Sequence, residues 1–415
     1  MAYTYSVATP FDIAQSENLA GFANSHWDVV IIGAGVAGAA AAIMSSQSGF
    51  RTLLVEAKSF PREKVCGGCL NRRAQASLKR LGILEQLYRV GAVPINELHL
   101  KVGGTSVVWK IPTLLSVRRS TLDRELVRAA IDAGATFIDN VSGLVMPRTE
   151  GESQKNEFRE VSLQHTTGSK EQRATILAKS ILIADGLTRS SLRLESGWST
   201  EIQLDSRIGV QRVFPANHFV RQPIIRGQLH MIVGSDGYVG FSHTDGDQVD
   251  VAGAIDPKSI RKQGGIAATI CGILGRNEGV LSVCTAPGEN LDSRDDSWSA
   301  TPALTRSSIR VASDRVFLIG DSIGYVEPFT GEGMSWALAS AEAVMPIVSR
   351  SVTSPSDTSL PKQWTTWVDS QRWQKQRTCS WISRQLRCVS MAAWTLRICN
   401  YFYPIRALLI KKVTS

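Results

Sequence analysis

The segment FPREKVCGGCL, from Phe60 to Leu70, places two thiols three positions apart among basic residues and glycines. Cys66 and Cys69 at this spacing can supply half of a zinc site, form a redox-active dithiol, or simply stand in a tight turn. A structural zinc needs four ligands, and no histidine lies near this pair in the sequence. Basic neighbours favour a thiolate, so a redox-active dithiol remains an alternative to a tight turn. The sequence around the segment has to distinguish these alternatives.

Three glycines follow the apolar run at 29–32 in the spacing G-x-G-x-x-G. Gly33 permits a tight turn, Gly35 leaves room for a pyrophosphate, and Gly38 lets a helix approach the strand closely. The alanine-rich residues behind them predict a helix whose first amides favour phosphate. A second apolar run ends in Glu56, 18 residues beyond Gly38, where a carboxylate accepts hydrogen bonds from ribose hydroxyls. The sequence therefore predicts a dinucleotide-binding strand–turn–helix.

Two later apolar runs also end in aspartates. Residues 181–184 lead into Asp185, and residues 316–319 lead into Gly320 and Asp321, which is placed to bind a ribityl hydroxyl. The proline and glycines at 328–333 then predict a kinked turn entering a helix over residues 334–344. Amides of such a turn can bond the edge of an isoalloxazine ring. Because NAD would need no second site of this kind, the predicted cofactor is FAD.

Alternation of apolar and polar residues predicts strands at about 95–112 and 206–255, with a hairpin over Asp245 and Gly246. We expect an α/β chain: a Rossmann-like FAD-binding domain, an inserted antiparallel-sheet substrate domain and a C-terminal helical tail. The predicted parts are a mobile N-terminal extension (1–26), a discontinuous FAD-binding domain (27–94, 113–205 and 300–350), the substrate-domain sheet (95–112 and 206–299), and a linker with a basic helical tail (351–415).

The ordered motifs, from the first glycines through RSTLD at 119–123 and Ala-Asp-Gly at 184–186 to PFTGEGM at 328–334, resemble the class A flavoprotein monooxygenase superfamily. Together with PREKVCGG at 61–68, the last of them is most similar to the geranylgeranyl reductase-like family. The resemblance spans residues 27–345. It implies an FAD-dependent oxidoreductase, with NAD(P)H as the expected electron donor.

The resemblance also implies roles for single residues. The loop of Cys66 and Gly67 would lie along the flavin, Arg62 would approach a phosphate, and Arg119 would add a further FAD contact. A flavin-facing turn is thus favoured over zinc or a dithiol. No metal ligand and no catalytic side chain is predicted. The predicted cofactor-binding residues are Gly33, Ala34, Gly35, Ala37, Gly38, Glu56, Arg62, Cys66, Gly67, Arg119, Asp185, Asp321, Gly333 and Met334.

The positive charge is concentrated at the end of the chain. The formal net charge is +9, and no acidic residue follows Asp369. A basic tail without a recognisable nucleic-acid-binding motif predicts no nucleic-acid partner. Its tryptophans and arginines predict either helices packed on the FAD domain or a peripheral membrane contact. Seven scattered cysteines and the absence of a signal-peptide pattern predict a cytoplasmic protein, with peripheral membrane attachment as the alternative.

The substrate is expected to be a small apolar or aromatic molecule. His230, Tyr238 and His243 stand on predicted strands that could face it, although the stretch from 237 to 243 departs from the Tyr-x-Trp-x-Phe-Pro pattern of prenyl reductases. Three hypotheses remain: a geranylgeranyl reductase-like reductase, an NAD(P)H-dependent hydroxylase of a phenolic or polyketide-like ring, and a non-catalytic flavin-binding or membrane electron-transfer protein.

Overall fold

The computed structural model describes residues 19–148, 157–166, 173–219, 224–275, 297–327, 329 and 331–372. In chain order the strands are β1 His26–Ile32, β2 Thr52–Val55, β3 Cys69–Leu70, β4 Val93–Val102, β5 Thr105–Ser116, β6 Thr136–Ile138, β7 Val141–Val145, β8 Arg159–His165, β9 Arg173–Ile183, β10 Thr200–Ile202, β11 Ile208–Pro215, β12 Gln228–Gly234, β13 Gly237–Thr244, β14 Gln248–Ile255, β15 Ser299–Ala303, β16 Arg306–Ser308, β17 Ala312–Ser313, β18 Val316–Leu318 and β19 Gly324–Tyr325. The helices are α1 Val36–Gln47, α2 Arg72–Arg80, α3 Leu84–Arg89, α4 Arg119–Asp132, α5 Pro257–Gln263, α6 Ile266–Leu274, α7 Gly333–Thr353 and α8 at residues 360–372.

A mostly parallel sheet forms the centre of the FAD-binding part, in the strand order β17-β18-β9-β1-β2-β6. Strands β18, β9, β1, β2 and β6 pair in parallel, whereas β7 and β8 add an antiparallel extension beside β9. The central strands are apolar because helices cover the sheet. Since parallel strands end at one edge, the turns after β1, β2, β9 and β18 lie side by side. The α/β architecture expected from the sequence is confirmed.

Helix α1 lies at the core of this part and packs between α4 and α7. Its run of alanines is buried, and small side chains allow the close approach of helices on both sides. The helix predicted at residues 334–344 is observed as α7, which is longer and continues to Thr353. Pro346 lies inside it.

The second large sheet has the order β15-β11-β14-β13-β12-β4-β5-β3. Its strands pair antiparallel, as predicted, except for β12 and β4, which pair in parallel. Strands β13 and β14 form the predicted hairpin. Strand β5 runs further than expected, and β3 pairs with its end. The sheet therefore reaches directly to the segment that contains Cys69.

The described parts of both termini pack on the FAD-binding part. Leu19, in the short turn Leu19–Phe22, is fully buried, whereas residues 1–18 of the predicted extension lie outside the described residues. In α8, Trp364 is buried and its Nε1 donates to the carbonyl oxygen of Leu318 at 3.0 Å. No helix in the described ranges is both long and apolar enough to cross a bilayer. The predicted membrane contact falls on residues 373–415, outside the described chain, and stays a prediction.

Candidate functional site

The turn between β1 and α1 has the geometry that the glycine spacing predicted. Gly33 has φ +107°, and a Cβ on Gly38 would lie 1.9 Å from the carbonyl oxygen of Gly33. Helix α1 begins without a side-chain cap and without an acidic residue in its first turn. Its N-terminal amides and its dipole are therefore directed at whatever binds there, which favours an anion.

Two arginines and two carboxylates stand next to this turn. Glu56 accepts from the amide of Ala34 at 3.1 Å, and its Oε2 lies 2.9 Å from Nη2 of Arg62. The fully buried Asp123 accepts from Arg62 at 3.0 Å and from Nε and Nη2 of Arg119 at 3.1 and 2.9 Å. Both guanidiniums lie near Gly35, where they add positive charge beside the helix N-terminus. Phosphate oxygens suit such a fork geometry.

The two aspartates at the later strand ends have different surroundings. Asp185 accepts from the amide and hydroxyl of Ser191 at 3.0 and 2.7 Å and from Ser322 at 3.3 Å. Its carboxylate thus braces the turn after β9 against the turn after β18. Asp321 is partly exposed and lies 3.2 Å from Nζ of Lys64. Of the two, Asp321 is the one that lines the open cleft.

Several distant turns meet at this cleft. It brings together the turn before α1, the segment of the two thiols, the start of α4, the turns after β9 and β18, and the turn before α7. Glu56 and Arg62 adjoin it, Gly67 lines the neighbouring cavity, and Asp185 stands behind it. The predicted residues that line the cleft itself are Gly35, Ala37, Cys66, Arg119, Asp321, Gly333 and Met334.

The segment of Cys66 and Cys69 forms a turn that is fastened to the second sheet. Gln211 donates to the carbonyl oxygen of Cys66 at 2.8 Å and accepts from the Cys66 amide at 3.1 Å. Both thiols are free, and burial raises the pKa of the Cys69 thiol to about 12. A thiol held neutral in this way is a poor nucleophile, which argues against the dithiol alternative. Among the described residues, no group of three metal-ligating side chains is assembled.

Among the described residues, one cysteine departs from what seven scattered cysteines in a reducing compartment predict. Cys271, in α6, is disulfide-bonded. It lies in the layer that covers the outer face of the second sheet, away from the turn of Cys66. The bond therefore has no direct part in the candidate site.

A cavity of about 170 Å³ lies between the turn of the two thiols and the second sheet. Its wall is mainly apolar and buried, as expected of a pocket for an apolar ligand. Tyr238 meets Phe329 edge to face at 5.0 Å and forms one side. Further apolar lining residues are Leu98, Ile111, Leu114, Leu229, Met231 and Met334.

A family model described as an FAD binding domain matches residues 26–240, just over half of the 415-residue chain. The chain belongs to the FAD-binding domain family. Menaquinone reductase of Mycobacterium tuberculosis is 28% identical over 340 residues, which cover 75% of this chain and 74% of the relative. The chloroplastic geranylgeranyl diphosphate reductase of Arabidopsis thaliana is 26% identical over 334 residues, 78% of this chain and 66% of the relative.

Solved structures of FAD-binding proteins share the fold over most of their length. A flavoprotein/dehydrogenase from Cytophaga hutchinsonii superposes with a TM-score of 0.70 at 18% identity, covering 87% of this chain and 86% of that one. The flavin-dependent brominase Bmp2 has a TM-score of 0.69 at 16% identity, with 94% of each chain covered. At these identities the likeness shows the fold alone. The resemblance to class A flavoproteins and to the geranylgeranyl reductase-like family is confirmed, and the protein is an FAD-dependent oxidoreductase.

The residues present fit FAD. The uncapped start of α1 and the pair Arg62 and Arg119 suit a pyrophosphate. The carboxylate of Glu56, directly after β2, would accept hydrogen bonds from ribose hydroxyls. The open side of Asp321 suits a ribityl hydroxyl, and the turn before α7 would hold the ring edge. When bound, FAD supplies two-electron chemistry. FAD contact at each single residue stays a prediction.

We expect Asp123→Asn to destabilise the FAD-free protein by about 3–5 kcal/mol, because it leaves two buried guanidiniums with too little negative charge. The pyrophosphate of FAD would restore part of that charge. FAD should therefore raise the free energy of unfolding more in Asp123→Asn than in the wild type. Urea unfolding with and without FAD measures both quantities. Asp132→Asn, at the exposed end of α4, is the matched control, and equal losses for the two variants would contradict the role of Asp123.

One charged residue that lines the cavity was not predicted from the sequence. Asp250, on β14, is 2% exposed and lines the apolar cavity beside Gly67 and Gly68. Its Oδ1 accepts from Nε2 of Gln211 at 2.8 Å, whereas Oδ2 has no hydrogen-bond partner among the described residues. Burial raises the pKa of its carboxyl to about 7. The signal in the sequence was a lone charge between valines on a buried strand, which is rare without a function.

The three pocket candidates named from the sequence divide between the two faces of the sheet. Tyr238 lines the cavity. His243 bonds the carbonyl oxygen of Ile224 at 2.6 Å within the layer on the opposite face. His230 stacks on Phe241 at 4.9 Å, and burial followed by the neighbouring His99 lowers its pKa to about 4. Neither histidine is placed to act on a ligand in the cavity.

A larger cavity, about 410 Å³, lies on the other side of Tyr325 between α7, α8 and the small sheet β10-β16-β19. Its wall includes Arg306 and Arg372, and both bond backbone carbonyl oxygens. Arg306 donates to the carbonyl oxygens of Ala303 and Leu187, and Arg372 donates to those of Ser308 and Ile323. Of the two cavities, the smaller one beside the thiol turn has the more apolar wall.

Proposed function

We propose that this FAD-dependent oxidoreductase reduces a carbon–carbon double bond in an apolar, isoprenoid-bearing molecule. The observation that carries the proposal is the apolar cavity between the second sheet and the turn of Cys66, next to the cleft that fits FAD. Removing apolar surface from water is worth about 25 cal/mol per Å², so such a wall selects a hydrocarbon over a polar ligand.

The names of the relatives support the same substrate class. One is a menaquinone reductase and another a geranylgeranyl diphosphate reductase. Menaquinone and geranylgeranyl diphosphate differ in their head groups, but both carry a polyprenyl chain. The head group of the substrate is left open, because the cavity wall offers few polar partners that would select one.

A nicotinamide nucleotide is the proposed electron donor. In this proposal Asp185 contributes only indirectly, because its carboxylate is engaged by Ser191 and Ser322. Anaerobic mixing of the FAD-loaded protein with NADH or NADPH tests this point. Bleaching of the flavin absorbance supports a nicotinamide donor, and unchanged absorbance with both nucleotides rules it out.

Hydroxylation of an aromatic ring is the second candidate. It is favoured by the aromatic wall of Tyr238 and Phe329, whose edge-to-face pair can extend to a ligand ring. A reaction with oxygen would then replace alkene reduction.

The product distinguishes the candidates. Photoreduced protein is mixed without oxygen with a short-chain menaquinone, and separately with menadione, which has the ring but no chain. After reoxidation in air, chain reduction leaves a mass gain of two hydrogen atoms in the menaquinone alone. If both quinones return unchanged, the chain was not reduced and the proposal fails. A product that gains one oxygen atom, formed only in air, would favour the hydroxylase.

A further inference from the structure

The structure contains a buried acid that FAD binding does not explain. Asp250 projects from the second sheet into the apolar cavity, and its Oδ2 has no partner among the described residues. An unpaired carboxyl oxygen in an apolar wall is costly to keep. Oδ2 of Asp250 lies where a ligand in the cavity would contact it.

Alkene reduction requires a proton as well as a hydride. FAD, when bound and reduced, would supply a hydride, that is a proton and two electrons, to one alkene carbon. The π bond breaks only if the other alkene carbon takes a proton from an acid in the cavity before or together with that transfer. We propose that Asp250 is this acid, an inference that rests on the proposed reduction. Its O–H bond breaks, a C–H bond forms, and the carboxylate left behind regains a proton from solvent when the product leaves.

Competing donors in the same wall are weaker acids. Burial raises the pKa of the Cys69 thiol to about 12 and that of the Tyr325 hydroxyl well above its ordinary value. Burial of Asp250 brings its carboxyl to a pKa of about 7. A general acid is most effective when its pKa lies near the working pH, so the carboxyl is the group suited to the step.

The groups that face Asp250 shift the pKa of its carboxyl in both directions. Burial has the largest effect and raises the pKa. The hydrogen bond from Gln211 on β11 has the second largest effect and lowers the pKa. The charges of Glu63, from the thiol segment, and Asp245, from the hairpin turn, raise it. Arg118, before α4, lowers it again and is paired with Asp245 at 2.9 Å. Gln211 is a positioning residue, because it holds both Asp250 and the turn of Cys66.

Asp250→Asn and Asp247→Asn together test whether Asp250 is the proton donor. The Asp250→Asn variant would keep an acceptor for Gln211 but could not donate an acidic proton. Asp247 is the matched control, because it stands on the same hairpin with its side chain 78% exposed and φ +52°, where asparagine is well tolerated. FAD titration verifies that both variants fold.

The first readout is single-turnover reduction of the short-chain menaquinone by photoreduced protein across pH. The wild type and Asp247→Asn should slow as pH rises through about 7, because the donor loses its proton. Asp250→Asn should be about 10²–10⁴-fold slower and lose this pH dependence. Gln211→Leu removes a hydrogen bond that lowers the pKa of Asp250, so its pH profile should move to higher pH. A wild-type rate and profile in Asp250→Asn would overturn the proposal.

The second readout is urea unfolding across pH, which needs no substrate. The folded carboxyl has a pKa of about 7 against the ordinary aspartate value of 3.8, so between these limits the folded state holds a proton that the unfolded state has lost. The wild type should therefore lose stability relative to Asp250→Asn as pH rises from about 4 to about 7, and Asp247→Asn should follow the wild type. Parallel curves for the wild type and Asp250→Asn would overturn the role of Asp250 as proton donor but not the proposed reduction. A wild type with this pH dependence that reduces no alkene would overturn the proposed function, and with it the donor's role.

Discussion

Gly35→Val is expected to give a folded protein that binds FAD at least about 100-fold more weakly than the wild type. Gly35 has φ −80°, which valine adopts without strain, and a Cβ there would meet nothing closer than the arginine side chain of Arg62 at 3.6 Å. The added methyl groups would occupy the space through which a pyrophosphate reaches the amides of α1. Isothermal titration of the apoprotein with FAD measures the loss, and circular dichroism verifies the fold.

Gly38→Val is the informative counterpart, because it lies in the same motif and has a different reason to be glycine. A Cβ on Gly38 would lie 1.9 Å from backbone oxygen and would push α1 away from β1. We expect this variant to lose stability first and FAD binding only as a result. If Gly35→Val bound FAD like the wild type, the pyrophosphate would not lie against this turn.

The positions of the motifs were predictable because each depends on a short stretch of chain. The turn of Gly33, the strand before Glu56 and the start of α7 follow from local patterns of glycine and apolar residues. These patterns have one physical solution in an α/β fold, since parallel strands must end at the same edge. The meeting of three distant turns could therefore be predicted from the sequence alone.

The substrate side was less predictable, because strand pairing decides which face a side chain occupies. Residues two apart on a strand share a face, but the sequence does not say which face is the pocket. Tyr238 therefore lines the cavity while His243, an odd number of positions away, lies on the other side. The position of Asp250 depends in the same way on strand pairing, because Gln211 reaches it from the neighbouring strand β11.

The same limit concealed the pair Arg207 and Glu327, which are 120 residues apart in the chain. Their side chains lie 3.0 Å from one another and are only 4% and 2% exposed. Glu327 stands directly before the turn that leads into α7, and Arg207 directly before β11. The ion pair therefore fastens the predicted ring-edge turn to the second sheet.

Arg207→Met should lower the free energy of unfolding by about 3–5 kcal/mol, because it leaves the carboxylate of Glu327 buried and uncompensated. The double variant Arg207→Met/Glu327→Gln buries no charge, so it should recover most of this loss. Arg80→Met is the matched control. The side chains of Arg80 and Glu342 lie 2.7 Å apart, but they are 60% and 31% exposed. Arg80→Met should therefore lower the free energy of unfolding by less than about 1 kcal/mol.

Urea unfolding of the four proteins, each with and without FAD, separates two roles of the buried pair. If the pair only stabilises the fold, Arg207→Met should bind FAD as the wild type does once it is folded. If it also positions the turn before α7, FAD should stabilise Arg207→Met less than it stabilises Arg80→Met. We expect the second result, because Phe329 and Gly331, just beyond Glu327, line the cavity beside the ring-edge turn. Equal losses for Arg207→Met and the double variant would mean that the packing of the arginine stem, and not the ion pair, holds the turn.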